Sequence, residues 1–256
     1  MILEIACFSL EAAIMAEEAG ADRIELCAGP LEGGLTPSFS MISMARNILQ
    51  IPIHIMIRPR EGDFLYSKRE LKSMEYDIDM IKDSGVEGVV LGILNSDGSV
   101  DIENLSRMVE IANPMNVTFH RAFDGAKDPF QALDDIIRSG AGRILTSGQR
   151  ATAIEGKELI AQLIQKAKGK ISIMPGSSVN ASNIAELARF TFANELHASV
   201  RSLRKGGITY SNPQVNLQSV SGTLEKTFLL PDPEQIRLMK NELNKESIRR
   251  REVAND

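Results

Sequence analysis

The stretch 116–124, NVTFHRAFD, is a short apolar run that ends in polar residues and leads into a helix. The same arrangement returns at 57–60 (IRPR), 145–148 (LTSG) and 196–199 (LHAS), and the alternation of strand and helix continues to about residue 200. Repeated strand and helix units indicate a parallel sheet. Eight such units in this length predict a closed barrel whose ligand site lies at the carboxyl ends of the strands.

We predict one domain, a TIM-type α/β barrel, over the whole chain 1–256, because a length of 256 residues suits such a barrel as a single unit. The barrel core spans about residues 1–200. Residues 201–256 form a C-terminal extension that is irregular up to 232 and ends in a helix opened by Asp232-Pro233. The predicted strands lie near residues 3–8, 23–27, 52–58, 88–94, 116–121, 143–147, 171–175 and 195–199.

Sequence signals mark where several helices begin. Ser67 with Glu70 has capping-box spacing, and so has Asp128 with Gln131. The pairs Thr36-Pro37 and Asp128-Pro129 predict helices whose first residue is a proline, since the missing N–H of proline costs nothing there.

Composition narrows the classes of function. A net charge of −5 and a pI near 5.4 leave no basic stripe for nucleic acid, so we expect a small-molecule partner. The start of the chain lacks a basic n-region and has Glu4 in its apolar run, so we expect neither a signal peptide nor a membrane span. Two cysteines, Cys7 and Cys27, are too few for a disulfide framework and favour a reducing, cytoplasmic setting.

Alternation along the strands predicts an unusually polar barrel interior. In the third strand the isoleucines at 53, 55 and 57 suit the helix layer, which sends His54, Met56 and Arg58 inward. The same reasoning turns these further side chains inward: Glu4, Arg23, Glu25, Cys27, Thr118, His120 and His197.

Charges inside a barrel need partners, since a buried unpaired charge costs several kcal/mol. One interpretation is a self-satisfied network in which Glu25 neutralises Arg58. The other is a functional pocket, which we favour because the polar groups concentrate toward the carboxyl ends of the strands.

Individual residues suggest roles within such a pocket. Arg58 and Arg60 flank Pro59 and resemble clamps for a carboxylate or phosphate, although Arg60 has Glu61 and Asp63 as alternative partners. His120 is the candidate for proton transfer. The loops 29–34 and 175–178 each precede a predicted helix and offer backbone N–H groups to an anion.

The cysteines permit a different interpretation. Cys7 and Cys27 end adjacent strands, and two thiolates suit Cu(I). Strand parity argues partly against this site, because Cys7 shares a face with Leu3 and Ile5 while Cys27 shares one with Glu25. Two small buried hydrophobic residues are the alternative.

Five blocks of sequence closely resemble the CutC family: 20–27 (GADRIELC), 33–38 (GGLTPS), 57–64 (IRPREGDF), 118–124 (TFHRAFD) and 145–148 (LTSG). The resemblance implies a TIM-type barrel, a cytoplasmic location, a homodimer and a link to copper homeostasis. It also implies copper at Cys7 and Cys27, and a mouth formed by Glu25, Arg58, His120, Arg121, Asp124 and His197. One departure is Ser177-Ser178, where the family usually has a more glycine-rich turn.

Two functions follow as expectations. The first is a CutC-like role in copper homeostasis, with Cu(I) bound through cysteine. The second is an enzyme of undefined reaction that acts on a small anionic metabolite at the mouth of the barrel. No nucleotide cofactor is expected, since the chain has neither a Walker loop nor a dinucleotide fingerprint. The candidate residues are His120, Glu25 and Asp124 for catalysis, Arg58, Arg60, Arg121, Ser147, Gly176 and His197 for ligand binding, and Cys7 and Cys27 for metal.

Overall fold

The computed structural model describes residues 1–210, 212, 214 and 227–255. Eight parallel strands form the centre, and all eight lie where the sequence predicts them. Neighbours pair in the order β7-β6-β5-β4-β3-β2-β1-β8, and β7 lies against β8 to close the barrel. The strands are β1 (Ile2–Cys7), β2 (Arg23–Leu26), β3 (Ile53–Met56), β4 (Gly88–Leu91), β5 (Asn116–Phe119), β6 (Arg143–Thr146), β7 (Ser172–Pro175) and β8 (Glu195–Ala198). The TIM-type barrel is therefore confirmed.

Helices alternate with the strands and form the outer layer. They are α1 (Leu10–Glu18), α2 (Phe39–Ile48), α3 (Lys68–Lys82), α4 (Ile102–Ala112), α5 (Pro129–Ser139), α6 (Lys157–Ala167), α7 (Ile184–Thr191) and α8 (Pro233–Asn255). A short 3-10 helix, Arg121–Gly125, follows β5. In α3 the residues Met74, Ile78 and Ile81 are buried against the barrel, as their helical spacing predicts.

The capping signals were mostly right. Ser67 and Glu70 form a complete capping box, and Asp128 accepts from the N–H groups of Phe130 and Gln131 ahead of α5. The Thr36-Pro37 prediction was wrong by two residues. Helix α2 begins at Phe39 with Ser38 as its N-cap. The Thr36 hydroxyl accepts instead from the N–H of Arg58, so this threonine ties the chain to the end of β3.

The segment after residue 200 is more ordered than the sequence suggested. The sequence predicts irregular chain over 201–232, but β9 (Arg201–Lys205) pairs with β10 (Thr227–Pro231) in an antiparallel arrangement. Residues 211, 213 and 215–226 of the segment predicted to be irregular lie outside the described residues.

Helix α8 packs as the eighth helix of the ring. It lies against α7, α1 and β1, with Ile236, Met239 and Leu243 fully buried. Arg250 donates to the carbonyls of Ala188 and Phe192 at the end of α7. The helix that the sequence placed in an extension thus completes the barrel architecture.

The main hydrophobic core lies between the strands and the helices, and it contains the isoleucines at 53, 55 and 57. The opposite faces of the strands fill the barrel interior with polar side chains, as alternation predicts. None of the helices in the described part of the chain is long and apolar enough to cross a membrane.

Candidate functional site

A cavity of about 650 Å³ opens at the carboxyl ends of the strands. Its volume is in the range of small-molecule sites, and its position is the one expected for a barrel of this type. Strand residues of the cavity include Glu25, Met56 and His197, while Arg58 follows β3 and His120 directly follows β5. We call the group Glu25, Arg58, His120 and His197 the mouth.

Beneath the mouth lies a second polar group, which we call the lower layer: Glu4, Arg23, His54, Arg143 and Glu195. Arg23 Nε is 2.5 Å from Glu4 Oε2, and Arg23 Nη2 is 2.5 Å from Glu195 Oε2. Arg143 Nε lies 2.6 Å from the same Glu195 oxygen. Two carboxylates and two guanidinium groups therefore neutralise each other inside the barrel.

Hydrogen bonds complete the lower layer. Ser172 Oγ donates to Glu195 Oε1 at 2.8 Å, and Arg143 Nη1 donates to Thr118 Oγ1 at 3.0 Å. Burial raises the pKa of Glu195, but the charges of Arg143 and Arg23 outweigh burial and hold it below its usual value. Burial also lowers the pKa of His54 to about 4, so this imidazole is neutral at pH 7.

Arg58 differs from the arginines below it. Its side chain is buried, and its guanidinium donates to three backbone carbonyls, those of residues 32, 34 and 62. It lies 5.2 Å from the ring centroid of Phe64. Within the described part of the chain Arg58 has no carboxylate partner, and its Nε has no hydrogen-bond acceptor. The positive charge is held in place without being neutralised.

His120 is a hydrogen-bond donor toward the cavity. Its Nδ1 accepts from the N–H of Ala122 at 3.1 Å, which assigns the proton of the neutral ring to Nε2. Burial, together with the nearby charge of Arg58, lowers the pKa of His120 to about 3. Nε2 is buried and has no partner among the described residues. Gly92 provides the space, since a Cβ there would lie 2.5 Å from His120 Nδ1.

Glu25 and His197 form the other side of the mouth. His197 Nδ1 is 2.7 Å from Glu4 Oε1, and its Nε2 is 3.8 Å from Glu25 Oε2. Burial raises the pKa of Glu25, and the charge of Glu4 adds to that effect. Burial lowers the pKa of His197, but Glu25 and Glu4 reverse the sign and raise it overall. Glu25 Oε1 is buried without a partner in the described residues.

The other predicted residues are spread around the mouth. Arg121 lines the cavity and is half-exposed, with its Nε 2.8 Å from Asp124 Oδ2. Asp124 does not line the cavity: its carboxylate accepts from the hydroxyls of Thr146 and Ser147 and from the N–H groups of Ser147 and Gln149. Asp124 and Ser147 therefore fix the loop after β6.

Arg60 lies outside the cavity. Its Nε is 2.6 Å from Glu70 Oε1 and its Nη2 is 2.9 Å from Asp63 Oδ1. Of the two alternatives from the sequence, the structure places Arg60 in the surface ion pair.

The loop after β7 contributes its backbone to the cavity wall. A Cβ on Gly176 would lie 2.5 Å from Leu145 Cδ1 and 3.3 Å from His197 Cδ2, so glycine leaves room for both. Ser177 and Ser178 have φ values of 88° and 57°, in the left-handed region that glycine favours. These serines thus adopt backbone conformations in which glycine would be less strained.

The two cysteines lie on opposite faces of the sheet. Cys7 packs in the outer core, where its thiol contacts the carbonyl of Ala12 at 3.5 Å. Cys27 packs inside the barrel with Met56 and Val90, and its Sγ is 3.6 Å from Glu25 Oε2. Burial raises the pKa of both thiols, and the charge of Glu25 adds to this. Cys7 therefore packs on the helix side of the sheet and Cys27 on the inner side.

Sequence reasoning missed two residues of the lower layer and one residue of the cavity wall. Arg143 and Glu195 begin β6 and β8, and alternation with Ile144 and Leu196 was the available signal for their inward direction. Arg201 also lines the cavity: it donates to the carbonyl of Pro30 and lies 5.2 Å from the Phe8 ring. No local pattern marks Arg201, since its position depends on the pairing of β9 with β10.

Comparisons of sequence and structure with known proteins point to the same family. The CutC family model matches residues 1–202. A family protein CutC of Chromobacterium violaceum is 44% identical over 244 residues, covering 95% of this chain and 98% of the relative. A copper homeostasis protein cutC homolog of Homo sapiens is 41% identical, covering 93% of this chain and 87% of the relative. A solved CutC structure from Streptococcus agalactiae superposes with a TM-score of 0.75 at 31% identity, covering 78% of this chain and 98% of that one.

Proposed function

The chain belongs to the CutC family, and from that premise we propose that it is an enzyme that acts on a small anionic organic molecule bound in the mouth of its barrel. One observation carries the proposal. Arg58 presents a buried guanidinium with no carboxylate partner in the described residues, beside a cavity of about 650 Å³. A carboxylate or phosphate of a ligand is the natural partner for such a charge.

His120 and Glu25 give the proposal its chemistry. The Nε2–H of His120 is an unused donor, which suits an oxygen of the same ligand as Arg58. Because its pKa is about 3, His120 acts as a neutral donor and not as the base. Glu25 has a raised pKa, which brings its proton affinity closer to that needed for acid–base catalysis at neutral pH.

The test is ligand stabilisation with a matched arginine control. We would measure the Tm of the wild type with malonate, glycolate and inorganic phosphate, and repeat it with Arg58→Met and Arg60→Met. A bound anion at one hundred times its Kd stabilises the folded state by about 2.7 kcal/mol. We expect this gain in the wild type and in Arg60→Met, and its loss in Arg58→Met.

A second variant is needed because Arg58→Met could fail to fold: Arg58 also donates to backbone carbonyls of the 29–34 loop. His120→Gln keeps a side-chain donor but changes its reach, so we expect a weakened anion effect in a folded protein. An equal shift in the wild type and in Arg58→Met, or none with any anion, would contradict the proposal.

Copper bound through cysteine is the second candidate, and it draws on the copper homeostasis name of the Homo sapiens relative. The specific observation in its favour is the packing of Cys27 with Met56, two soft ligands, on the inner face of the barrel. Cys7 lies in the outer core, so Cys27 with Met56 fits Cu(I) better than the cysteine pair. Anaerobic Cu(I) titration of the wild type, Cys27→Ser and Cys7→Ser tests it, with loss of binding expected only for Cys27→Ser.

We also propose a cytoplasmic location and a homodimer. Two unpaired buried cysteines suit the cytoplasm. The homodimer rests on the family resemblance, and sedimentation of the purified chain at several concentrations tests it.

A further inference from the structure

Glu25 is the carboxylate of the mouth, and no guanidinium group pairs with it in the described part of the chain. In the lower layer, Glu4 and Glu195 are matched by Arg23 and Arg143. Glu25 has no arginine or lysine within ion-pair distance in the described part of the chain, and its Oε1 has no hydrogen-bond partner although the residue is only 4% exposed. A buried carboxylate oxygen of this kind calls for a cation or a donor.

His197 is oriented as a metal-binding histidine is. Its Nδ1 is 2.7 Å from Glu4 Oε1, which leaves Nε2 directed toward Glu25 and the cavity. Histidines that bind metals usually donate their second ring nitrogen to a carboxylate in this way, and the carboxylate fixes the ring. One ligand atom each from Glu4, Glu25 and His197 lies within 4.8 Å of the others, which is close enough to surround one ion.

We infer that Glu25 and His197 Nε2 bind a divalent transition-metal ion at the floor of the cavity, with Glu4 orienting His197. A carboxylate with an imidazole suits Zn²⁺, Mn²⁺ or Fe²⁺, whereas Cu(I) prefers sulfur. The remaining coordination positions face the cavity, where water or a ligand oxygen completes the set. This site goes beyond the anion proposal and does not depend on it.

The inference gives Glu25 a different task from proton transfer. It also explains why the two sides of the mouth differ in charge, since the ion would lie at Glu25 and an anion at Arg58. A ligand that bridges them would be an anion with a metal-chelating oxygen, such as a hydroxy or keto group next to a carboxylate.

The test uses Co²⁺ as a visible probe and Zn²⁺ in competition with a chromogenic chelator, on the full chain stripped of metal. We expect one Co²⁺ per chain with d–d absorption, displaced by Zn²⁺. Glu25→Gln and His197→Gln should each weaken binding more than 100-fold. The variant Cys7→Ser, whose thiol packs in the outer core, is the matched control and should bind Co²⁺ like the wild type.

Three results would overturn the site: no stoichiometric Co²⁺ binding, binding that persists in a folded Glu25→Gln variant, or binding that is lost only in the cysteine variant. Glu25→Gln is the decisive variant because it removes no existing hydrogen bond to Glu25 Oε1, so it should fold. Failure of the metal test leaves the anion test untouched, because the anion Tm shifts depend on Arg58 and can be measured in protein stripped of metal.

Discussion

The lower layer and the mouth are built from the same residue types, yet they differ in how completely those residues are satisfied. In the lower layer every carboxylate has a guanidinium partner at 2.5 to 2.6 Å. In the mouth, Glu25 Oε1, Arg58 Nε and His120 Nε2 are buried and without partners among the described residues. Polarity inside a barrel is therefore no guide to function by itself, whereas unsatisfied polarity beside a cavity is.

The contrast also separates stability from function. In a closed network both charges are paired. Removing one partner leaves the other charge buried and unpaired, which strongly destabilises the fold. Unpartnered groups at a binding site contribute little to folding and are available to a ligand, and their removal often leaves stability unchanged or improved. Substitutions in the lower layer should therefore cost the fold more than substitutions in the mouth.

Glu195→Gln should cause the largest loss of stability. It removes the carboxylate that Arg23 and Arg143 share, so two buried guanidinium groups lose their partner. We expect the free energy of unfolding to fall by about 3 to 5 kcal/mol. Urea denaturation followed by circular dichroism measures it. A loss below about 1 kcal/mol would mean that the lower layer is not the closed network described above.

Acid should destabilise the barrel through its buried neutral histidines. The pKa of His54 is lowered from 6.5 to about 4 on folding. Between these two pH values the unfolded chain binds a proton at His54 that the folded protein does not bind. Stability is therefore complete above pH 6.5, falls as the pH drops below it, and stops changing near pH 4. Between pH 6.5 and 5 we expect His54 to account for about 2 kcal/mol.

Urea denaturation midpoints between pH 6.5 and 5, for the wild type and for His54→Gln, measure the contribution of His54 to the pH dependence of stability. These pH values lie above the range where Glu4 and Glu195, whose pKa values are lowered, lose their own contribution as pH falls. His120, with a pKa of about 3, adds a parallel loss that remains in the variant. An unchanged pH dependence in His54→Gln would show that burial does not keep this ring neutral.

Ser178→Gly should stabilise the wall of the mouth. A left-handed conformation costs a serine about 1 to 2 kcal/mol, and glycine avoids most of that cost while losing more chain entropy. We expect a net gain of about 1 kcal/mol in urea denaturation. Ser177→Gly should gain less, because it also removes the hydrogen bond from Ser177 Oγ to the carbonyl of Ala151. A loss of stability in Ser178→Gly would contradict the strain.

Glu25→Gln should have the smallest effect on stability, although it is the same substitution as in the lower layer. Its Oε1 has no partner in the described residues, so neutralising it costs the fold little. We expect a change within about 0.5 kcal/mol, or a gain, in metal-free protein. A loss as large as that of Glu195→Gln would erase the distinction between the two groups.

The barrel fold could be predicted from the sequence because short apolar strands and capped helices are local patterns. Alternation also predicted the inward direction of Glu4, Glu25, Arg58 and His120. It could not tell which charges meet, since Glu195 reaches Arg23 across 172 positions of sequence. The pairing of Glu25 with Arg58, one of our two interpretations, was therefore beyond what residue types decide, and Arg58 instead donates to backbone carbonyls.

Residues near a strand end were the hardest to assign. Arg58 and Arg60 are two positions apart and look equivalent in sequence, but one faces the cavity and the other faces Glu70. Asp124 and Ser147 follow strands as ligand-binding residues do, yet they bond to each other and hold a loop. What separates these cases is the three-dimensional course of each loop, which depends on contacts far along the chain.

Helix α8 bears on how this protein is made. Helix α8 comes from residues 233–255 and packs between α7 and α1. The strands of the barrel and the first seven helices are therefore synthesised before α8 leaves the ribosome. Until then the apolar sides of α1 and α7 have no cover. The nascent barrel should therefore depend on chaperones late in synthesis, and fusions that hinder the docking of α8 should reduce yield more than fusions at the N-terminus.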